Sequence, residues 1–154
     1  MSRTYERKDC RLCGSNNLKR VIDLAPTPPG NQFLTRDELQ SENELYDLFV
    51  MHCKDCTHLQ LGTVIDPEIL FQRDYKYVSA TSPVFVQHLK GYCDWSIDRF
   101  DIPTGGLIVD VGSNDGTGLR CYKDKGYEVL GIDPATEIAA EATKQGIPTW
   151  DEFF

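Results

Sequence analysis

Hydrophobic residues are most tightly grouped in the C-terminal third of the sequence. Leu107–Val111 is an apolar run broken only by Asp110, and the small, polar residues of Gly112–Gly116 follow it at once. This pattern predicts a buried parallel strand that ends in a tight turn, with a helix beginning at Thr117. A second apolar run, 127–132, predicts the neighbouring strand. The order strand, turn, helix, strand is typical of an open α/β sheet.

Helical periodicity flanks these strands. Ser82 and Pro83 have the residue types of an N-cap and a first helical position, which predicts a helix that ends before Pro103. Its apolar stripe consists of Phe85, Leu89, Tyr92, Trp95 and Phe100. Further helices are predicted over 117–125 and 134–145. Gly126 and Gly146 stand at their C-terminal ends, where glycine often terminates a helix.

The N-terminal half has a different pattern. Strands are predicted over 44–51 and 59–62, with a short helix over 67–71. The segment 23–31 is rich in proline, so we expect an extended loop there rather than a paired strand. Because the composition changes near Pro103, we predict three parts. They are an N-terminal domain at 1–72, a connecting segment and helix at 73–103, and a partial α/β domain at 104–154.

Composition narrows the class of protein. The chain of 154 residues is 40% hydrophobic and 26% charged, which is typical of a globular domain. It has no run of about 18 apolar residues, so we expect no membrane partner. The segment Met1–Lys8 has no apolar core of signal-peptide length, which favours the cytoplasm. A net charge of -8 argues against nucleic acid as a partner, because phosphate contacts need an excess of Lys and Arg.

Four of the six cysteines form two C-x-x-C pairs, Cys10/Cys13 and Cys53/Cys56. Two such pairs can surround one ion in tetrahedral geometry, so we predict a structural zinc with four thiolate ligands. Residues 1–72 are therefore expected to form an α+β, zinc-ribbon-like zinc-binding domain. Full coordination by protein ligands leaves no open position for catalysis. His52 and His58 flank the second pair and are expected to be surface residues, although either could replace a ligand.

Two further cysteines, Cys93 and Cys121, fall singly on predicted helices. We expect both to be small buried apolar residues.

The glycine turn is the second candidate site. A dinucleotide fingerprint needs a second glycine where Asn114 stands, so the match to NAD fails. Asp110 lies two residues before Gly112 and suits a ligand with a positively charged amino-acid end, such as S-adenosylmethionine. Asp133 follows the next strand, 21 positions after Gly112, and can accept hydrogen bonds from ribose hydroxyls. The predicted cofactor-binding residues of this region are Asp110, Gly112, Ser113, Asn114, Asp115, Gly116 and Asp133.

A polar aromatic segment, 74–82, precedes the first long helix. Its tyrosines and hydroxyl side chains could line a site, or the segment could be a solvated linker whose tyrosines serve as packing anchors. Composition alone leaves both interpretations open.

Taken together, these motifs resemble the N-terminal part of the zinc-containing, S-adenosylmethionine-dependent sugar C-methyltransferase family, of the type that methylates C-3 of a nucleotide-linked deoxysugar. Family members join a zinc-binding domain to a Rossmann-like S-adenosylmethionine domain and a further C-terminal domain. Besides the two cysteine pairs, the matching segments are Pro28–Asn31, Tyr75–Ser79, Val111–Thr117, Gly131–Ala135, Gly146–Thr149 and Phe153–Phe154. One departure is Thr57, which stands where the family usually has glycine.

The resemblance implies transfer of a methyl group to a carbon next to a keto group. It also implies that Tyr77, and with it Tyr75, faces the substrate and that Ser79 or Ser82 faces the cofactor. The family's general base lies in a later region that has no counterpart here.

We therefore expect a fragment that is inactive alone, with Leu107–Val111 as an exposed sheet edge, and that needs the missing C-terminal half or a second chain. The alternative is a non-catalytic zinc-binding adaptor or substrate-recognition module. A nucleic-acid-binding zinc ribbon is a third interpretation, which the net charge disfavours.

Overall fold

A computed structural model of the chain describes residues 3–31, 33–40, 44–72 and 75–154. The structure is mixed α/β and divides into two compact units, Met1–Tyr75 and Lys76–Phe154. Among the described helices, none combines the length and the hydrophobicity needed to cross a bilayer. Asp74, which opens the tyrosine segment, lies outside the described residues.

The first unit is built from short antiparallel strands. Among its described residues, the strands are β1 (Thr4–Glu6), β2 (Leu18–Thr27), β3 (Tyr46–Cys53), β4 (Leu59–Leu61) and β5 (Thr63–Ile65). Strands β2, β3 and β4 form one sheet in that order, and β1 pairs with β5 in another. A short 3-10 helix, Glu38–Gln40, and one turn of π-helix, Glu68–Gln72, complete the described elements of this unit.

The expectation of an unpaired loop over 23–31 is wrong for its first half. Strand β2 continues to Thr27, and Leu24 pairs with Leu48 on β3. The register shifts between Leu24 and Thr27, so Pro26 occupies an irregularity in the ladder. Because β2 is also the edge strand of its sheet, proline can occur there without removing a hydrogen bond from a central ladder.

The second unit alternates helices and parallel strands. Its elements are α1 (Pro83–Phe100), β6 (Leu107–Val111), α2 (Thr117–Asp124), β7 (Glu128–Ile132), α3 (Thr136–Lys144) and β8 (Thr149–Trp150). The three strands lie in the order β6-β7-β8, and each pair is parallel. The strand and helix predictions for this region are confirmed to within two residues at each end. Gly126 and Gly146 follow α2 and α3 with φ values of +89° and +90°, which agrees with their predicted role at helix ends.

One apolar cluster forms the core of this unit. It brings together buried side chains from α1, α2, β7 and the segment before β8, namely Cys93, Leu119, Tyr122, Tyr127, Val129 and Ile147. Ile108 of β6 packs against the same cluster.

Helix α1 uses a different face from the one its aromatic residues predict. Tyr92, Trp95 and Phe100 are exposed, whereas Cys93 and Ser96 are buried. Small side chains let α1 approach α2 closely, and the Ser96 hydroxyl hydrogen-bonds the Tyr122 hydroxyl at 2.7 Å. The aromatic stripe is thus uncovered within the described residues.

The prediction for the two remaining cysteines is confirmed for Cys93, which is fully buried, whereas Cys121 is only half-buried. Their sulfurs lie within 4.8 Å of each other, so the two residues do not stand alone.

Strand β6 is at the edge of its sheet, as expected, but it is not fully buried. Leu107, Val109 and Val111 each expose about half of their surface because they point to a face that no described element covers. Their neighbour Ile108 points to the core. A run of apolar residues is typical of a strand that is buried on both faces of its sheet, and the described residues cover only one face of β6.

Candidate metal centre and cofactor site

The two C-x-x-C pairs fold into matching turns. In the first, the amide of Gly14 donates a hydrogen bond to the Cys10 carbonyl at 2.9 Å, and in the second, the amide of Thr57 donates to the Cys53 carbonyl at 2.9 Å. Gly14 and Thr57 both have positive φ values, +74° and +64°. A β-branched residue is strained in this region, whereas glycine is not. Thr57 thus stands where the turn itself favours glycine.

These turns bring the four predicted metal ligands together. The sulfurs of Cys10, Cys13, Cys53 and Cys56 all lie within 4.8 Å of one another. The Cys10–Cys56 and Cys13–Cys53 sulfur separations are 3.6 and 3.7 Å. A tetrahedral zinc with bonds of about 2.3 Å requires sulfur–sulfur distances of about 3.8 Å. The donor set and its spacing therefore fit zinc.

The thiols of this cluster do not ionise equally. Burial tends to raise the pKa of Cys10, but backbone N–H groups of Cys13 and Leu12 that point at its sulfur bring that pKa down to about 7. The His58 amide also points at the Cys56 sulfur, yet the neighbouring sulfurs and burial raise the pKa of Cys56 to about 12. A thiolate at Cys10 is therefore available to a cation at neutral pH.

Asp55 lies in the second C-x-x-C turn and connects that turn to the segment that follows the first one. Its carboxylate accepts hydrogen bonds from the Ser15 hydroxyl at 2.5 Å and from the Asn17 side-chain amide at 2.7 Å. These bonds lower the pKa of Asp55. This contact could not be predicted from the sequence, because one acid between two cysteines gives no signal of its partner.

Gln60 on β4 makes a second connection. It is only 6% exposed, and its side chain accepts a hydrogen bond from the Arg11 amide at 2.8 Å and donates one to the Asp9 carbonyl at 2.9 Å. These two backbone groups lie on either side of Cys10. Gln60 therefore fixes the position of the first turn, a role that no pattern in the sequence indicates.

The two histidines near the second pair remain outside the cluster. Within the described residues, the group of metal-capable atoms around Cys53 contains the four cysteines and neither His52 nor His58. His52 lies on β3, and the carbonyl of His58 accepts a hydrogen bond from the Cys53 amide. Both histidines are half-buried.

In the second unit, the glycine turn follows β6 and leaves open space above its backbone. Gly112 has a φ of +79°, and a Cβ added there would meet no atom within 4 Å. The hydroxyl of the next residue, Ser113, is buried without a hydrogen-bond partner among the described residues. At the far end of the turn, a Cβ on Gly116 would lie 2.8 Å from Ile147, so this glycine serves packing.

Two carboxylates lie at the ends of the neighbouring strands. Asp133 is 6% exposed and accepts hydrogen bonds from the backbone amides of Asn114 at 2.7 Å and Ala135 at 2.9 Å. Asp110 is half-buried, and burial, reinforced by the negative charge of Asp133, raises its pKa. Each carboxylate oxygen of Asp133 thus accepts one hydrogen bond from a backbone amide and retains a lone pair for a further donor.

The remaining predicted cofactor residues make bonds within the protein. The side chains of Asn114 and Asp115 bind backbone groups of Ser79 and Ala80. The Ser82 hydroxyl accepts a hydrogen bond from the Phe85 amide at 3.3 Å, which caps α1 as the sequence predicts.

The predicted substrate-facing tyrosines lie in different units. Tyr77 is 39% exposed in the second unit. Tyr75 ends the first unit, where its ring lies 6.3 Å from that of Phe71. Their assignment as substrate contacts stays a prediction.

Comparisons with known proteins agree with the motifs. Residues 10–71 match a family model described as "Putative zinc binding domain". The chain is also 31% identical, over 141 residues, to the C-methyltransferase NovU of Streptomyces niveus. The match covers 92% of this chain and 33% of NovU, so the chain spans about a third of the length of this relative. Both matches agree with the resemblance drawn from the motifs: residues 10–71 are similar to a zinc-binding family, and most of the chain is similar to part of a C-methyltransferase.

Proposed function

We propose that the second unit is the start of a Rossmann-like domain that binds S-adenosylmethionine, and that the protein acts in C-methylation. The substrate class we propose is a nucleotide-linked deoxysugar, methylated at a carbon next to a keto group. The observation that carries this proposal is the open, glycine-lined turn after β6, with the buried and unpartnered hydroxyl of Ser113 beside it. The 31% identity to a C-methyltransferase, in a match that covers 92% of this chain, supports the same reaction class.

The chemistry of the turn suits S-adenosylmethionine better than a dinucleotide. A ligand can approach the backbone at Gly112, where an added Cβ would meet no atom within 4 Å. The carboxyl group of Asp110 would favour the ammonium group of the cofactor, and the free lone pairs of Asp133 would accept from its ribose hydroxyls. A pyrophosphate would place negative charge next to both acids, which is unfavourable.

The reaction itself is a carbon alkylation. A base removes the acidic proton next to the keto group, and the resulting enolate carbon forms a bond to the methyl carbon while the bond from that carbon to sulfur breaks. S-adenosylmethionine supplies this activated methyl group. Within this chain, Tyr77 and Tyr75 are the proposed substrate contacts, and orienting the sugar is the role we assign to them.

The first unit has a structural role in this proposal. Four thiolates at Cys10, Cys13, Cys53 and Cys56 would complete the coordination of one zinc and leave no position for a substrate. The cytoplasm, which keeps thiols reduced, is the compartment we propose.

We further propose that activity requires additional polypeptide, in the same chain or in a second one. The exposed edge of β6 and the bare aromatic stripe of α1 support this, because an unpaired strand edge and an exposed apolar stripe are surfaces that further polypeptide can cover.

Titration calorimetry with S-adenosylmethionine tests the proposal. Gly112→Ala places a methyl group in the open space of the turn. Gly126→Ala is the matched control, because Gly126 also has a positive φ, of +89°, and also has no atom within 4 Å of an added Cβ. We expect the chain to bind the cofactor and Gly112→Ala to weaken binding about tenfold or more, while Gly126→Ala leaves it unchanged.

The outcomes separate the two functions. Equal binding by both variants would show that the cofactor does not bind at the glycine turn. No binding by the unsubstituted chain would favour the zinc-binding adaptor or substrate-recognition module.

A further inference from the structure

The segment 77–80 is held against the glycine turn by two side chains of that turn. The Asn114 side-chain amide donates to the Tyr77 carbonyl at 3.0 Å, and its oxygen accepts from the Ser79 amide at 2.8 Å. The Asp115 carboxylate accepts from the Ala80 amide at 3.0 Å. Three hydrogen bonds to the backbone thus connect the segment 77–80 to the glycine turn, about 35 positions later in the chain.

Both side chains are themselves fixed. Asn114 is 8% exposed, and its backbone amide donates to the Asp133 carboxylate at the end of β7. The other oxygen of Asp115 accepts from the Thr117 amide at 3.1 Å, at the start of α2. The contacts to 77–80 therefore originate from the sheet and a helix, which are rigid parts of the unit.

Asn114 is chemically suited to this task. A carboxamide has one donor end and one acceptor end, and here the donor faces a carbonyl while the acceptor faces an amide. An aspartate could still accept from Ser79 but would turn an oxygen toward the Tyr77 carbonyl. Asn114 also has a φ of +51°, a conformation that asparagine and aspartate tolerate better than most residues.

We propose that Asn114 is a positioning residue that locks the Tyr77 segment onto the glycine turn, so that a cofactor in the turn and the order of the Tyr77 segment stabilise each other. This coupling rests on the proposed function, whereas the lock itself rests only on the contacts described. Linkage makes the effect reciprocal: whatever the cofactor contributes to ordering the segment, the ordered segment returns as cofactor affinity.

Hydrogen exchange at the amides of Ser79 and Ala80 measures the lock without any cofactor. We expect Asn114→Ala to accelerate exchange at Ser79 about tenfold or more, because the Ser79 amide loses its hydrogen-bond acceptor. Thr81→Val is the control, since it removes only the bond from the Thr81 hydroxyl to the Val78 carbonyl inside the segment. Unchanged exchange in Asn114→Ala, or an equal change in Thr81→Val, would overturn the lock.

Asn114→Asp is the gentler variant if Asn114→Ala perturbs folding. It keeps the acceptor for Ser79 and the tolerance of positive φ, and loses the donor to Tyr77. We expect normal protection at Ser79 but faster tryptic cleavage after Lys76, the residue before Tyr77. Cleavage at the unsubstituted rate would show that the contact to Tyr77 does not order the segment.

Repeating the exchange with saturating S-adenosylmethionine tests the coupling. We expect slower exchange at Ser79 and Ala80 in the unsubstituted chain, and a smaller effect in Asn114→Ala. If calorimetry detects binding but exchange does not slow, the coupling is wrong and the proposed function stands. If calorimetry detects no binding, the proposed function and the coupling both fail, while the exchange measured without cofactor still decides the lock.

Discussion

The two units of this chain are stabilised in different ways. In the first unit, the buried apolar side chains among the described residues are Pro29, Tyr46 and Phe49, together with Cys10 and Cys53 of the metal cluster. The second unit buries a continuous cluster that includes Leu119, Tyr122, Tyr127, Val129 and Ile147. A small unit with few buried apolar residues typically needs a metal or a disulfide, whereas a continuous apolar core can support a fold by itself.

This difference extends to how each candidate site is supported. The metal cluster is held by side-chain contacts between distant turns, through Asp55 and Gln60. The glycine turn is held by the neighbouring strand β7 and by the segment before β8, because Gly112 donates to the Ile132 carbonyl at 2.8 Å and Gly116 packs on Ile147. We therefore expect the first site to depend on its ligand for structure and the second to exist before its ligand binds.

Metal removal should have the largest effect and should be confined to the first unit. Structural zinc contributes an apparent 10–16 kcal/mol, roughly, in small zinc domains, more than a core of this size can replace. Cys53→Ser or a chelator should abolish protection of the β2–β3 amides in hydrogen exchange. The helical circular dichroism signal should persist, because the described α-helices all lie in the second unit.

Cys121→Ser is the control, since Cys121 lies outside the metal cluster. Loss of the helical signal together with zinc would show that the second unit depends on the first.

Leu119→Ala should affect only the second unit. Leu119 is 1% exposed in the core cluster, and truncating a buried leucine costs about 3 kcal/mol. Chemical denaturation followed by helical circular dichroism should show this loss at unchanged zinc content. Leu107→Ala, at an exposed position of β6, should change stability by less than about 0.5 kcal/mol. Similar losses in both variants would mean that β6 is covered in solution.

Thr57→Gly should stabilise the first unit by about 1 kcal/mol. The substitution relieves a β-branched residue at a φ of +64°, in a turn whose counterpart already has glycine at Gly14. Competition with a chelator should show tighter zinc retention. The reverse change, Gly14→Thr, should weaken retention, and if both variants behave alike, backbone strain does not limit this site.

Asp110→Asn should give the smallest effect, and it should depend on pH. The pKa of Asp110 is raised by burial and by Asp133, so its contribution to stability is complete below the unfolded pKa, about 3.9, and is lost as the pH rises through the folded pKa. The amide variant should therefore be more stable than the original at neutral pH, by under about 1 kcal/mol, and no more stable near pH 4. Thermal unfolding followed by helical circular dichroism measures this. A gain that is the same at both pH values would exclude the carboxylate charge as the cause.

Local patterns predicted the elements of the second unit and the metal cluster. Strand β6 follows from an apolar run interrupted only by Asp110, and α1 begins at Ser82 and Pro83 because capping is a local interaction. The four cysteines could be grouped because C-x-x-C spacing fixes two ligands on one turn.

Contacts between distant segments could not be predicted in the same way. Gln60 and Asn114 act on backbone groups about 50 and 35 residues away, and no periodicity records such pairs. Pro26 was misjudged because its cost depends on whether its strand is an edge and where the ladder is irregular, which only the sheet order reveals. Helix α1 buries its small residues because α2 packs on that side, a choice made by the tertiary structure.

One titration tests the central claim that the two sites are supported independently. S-adenosylmethionine is titrated calorimetrically into the zinc-loaded chain and into the same chain after chelation, with zinc content measured in both samples. The account predicts one zinc per loaded chain and the same cofactor affinity before and after its removal. Loss of cofactor binding together with zinc, or no binding in either sample, would contradict it.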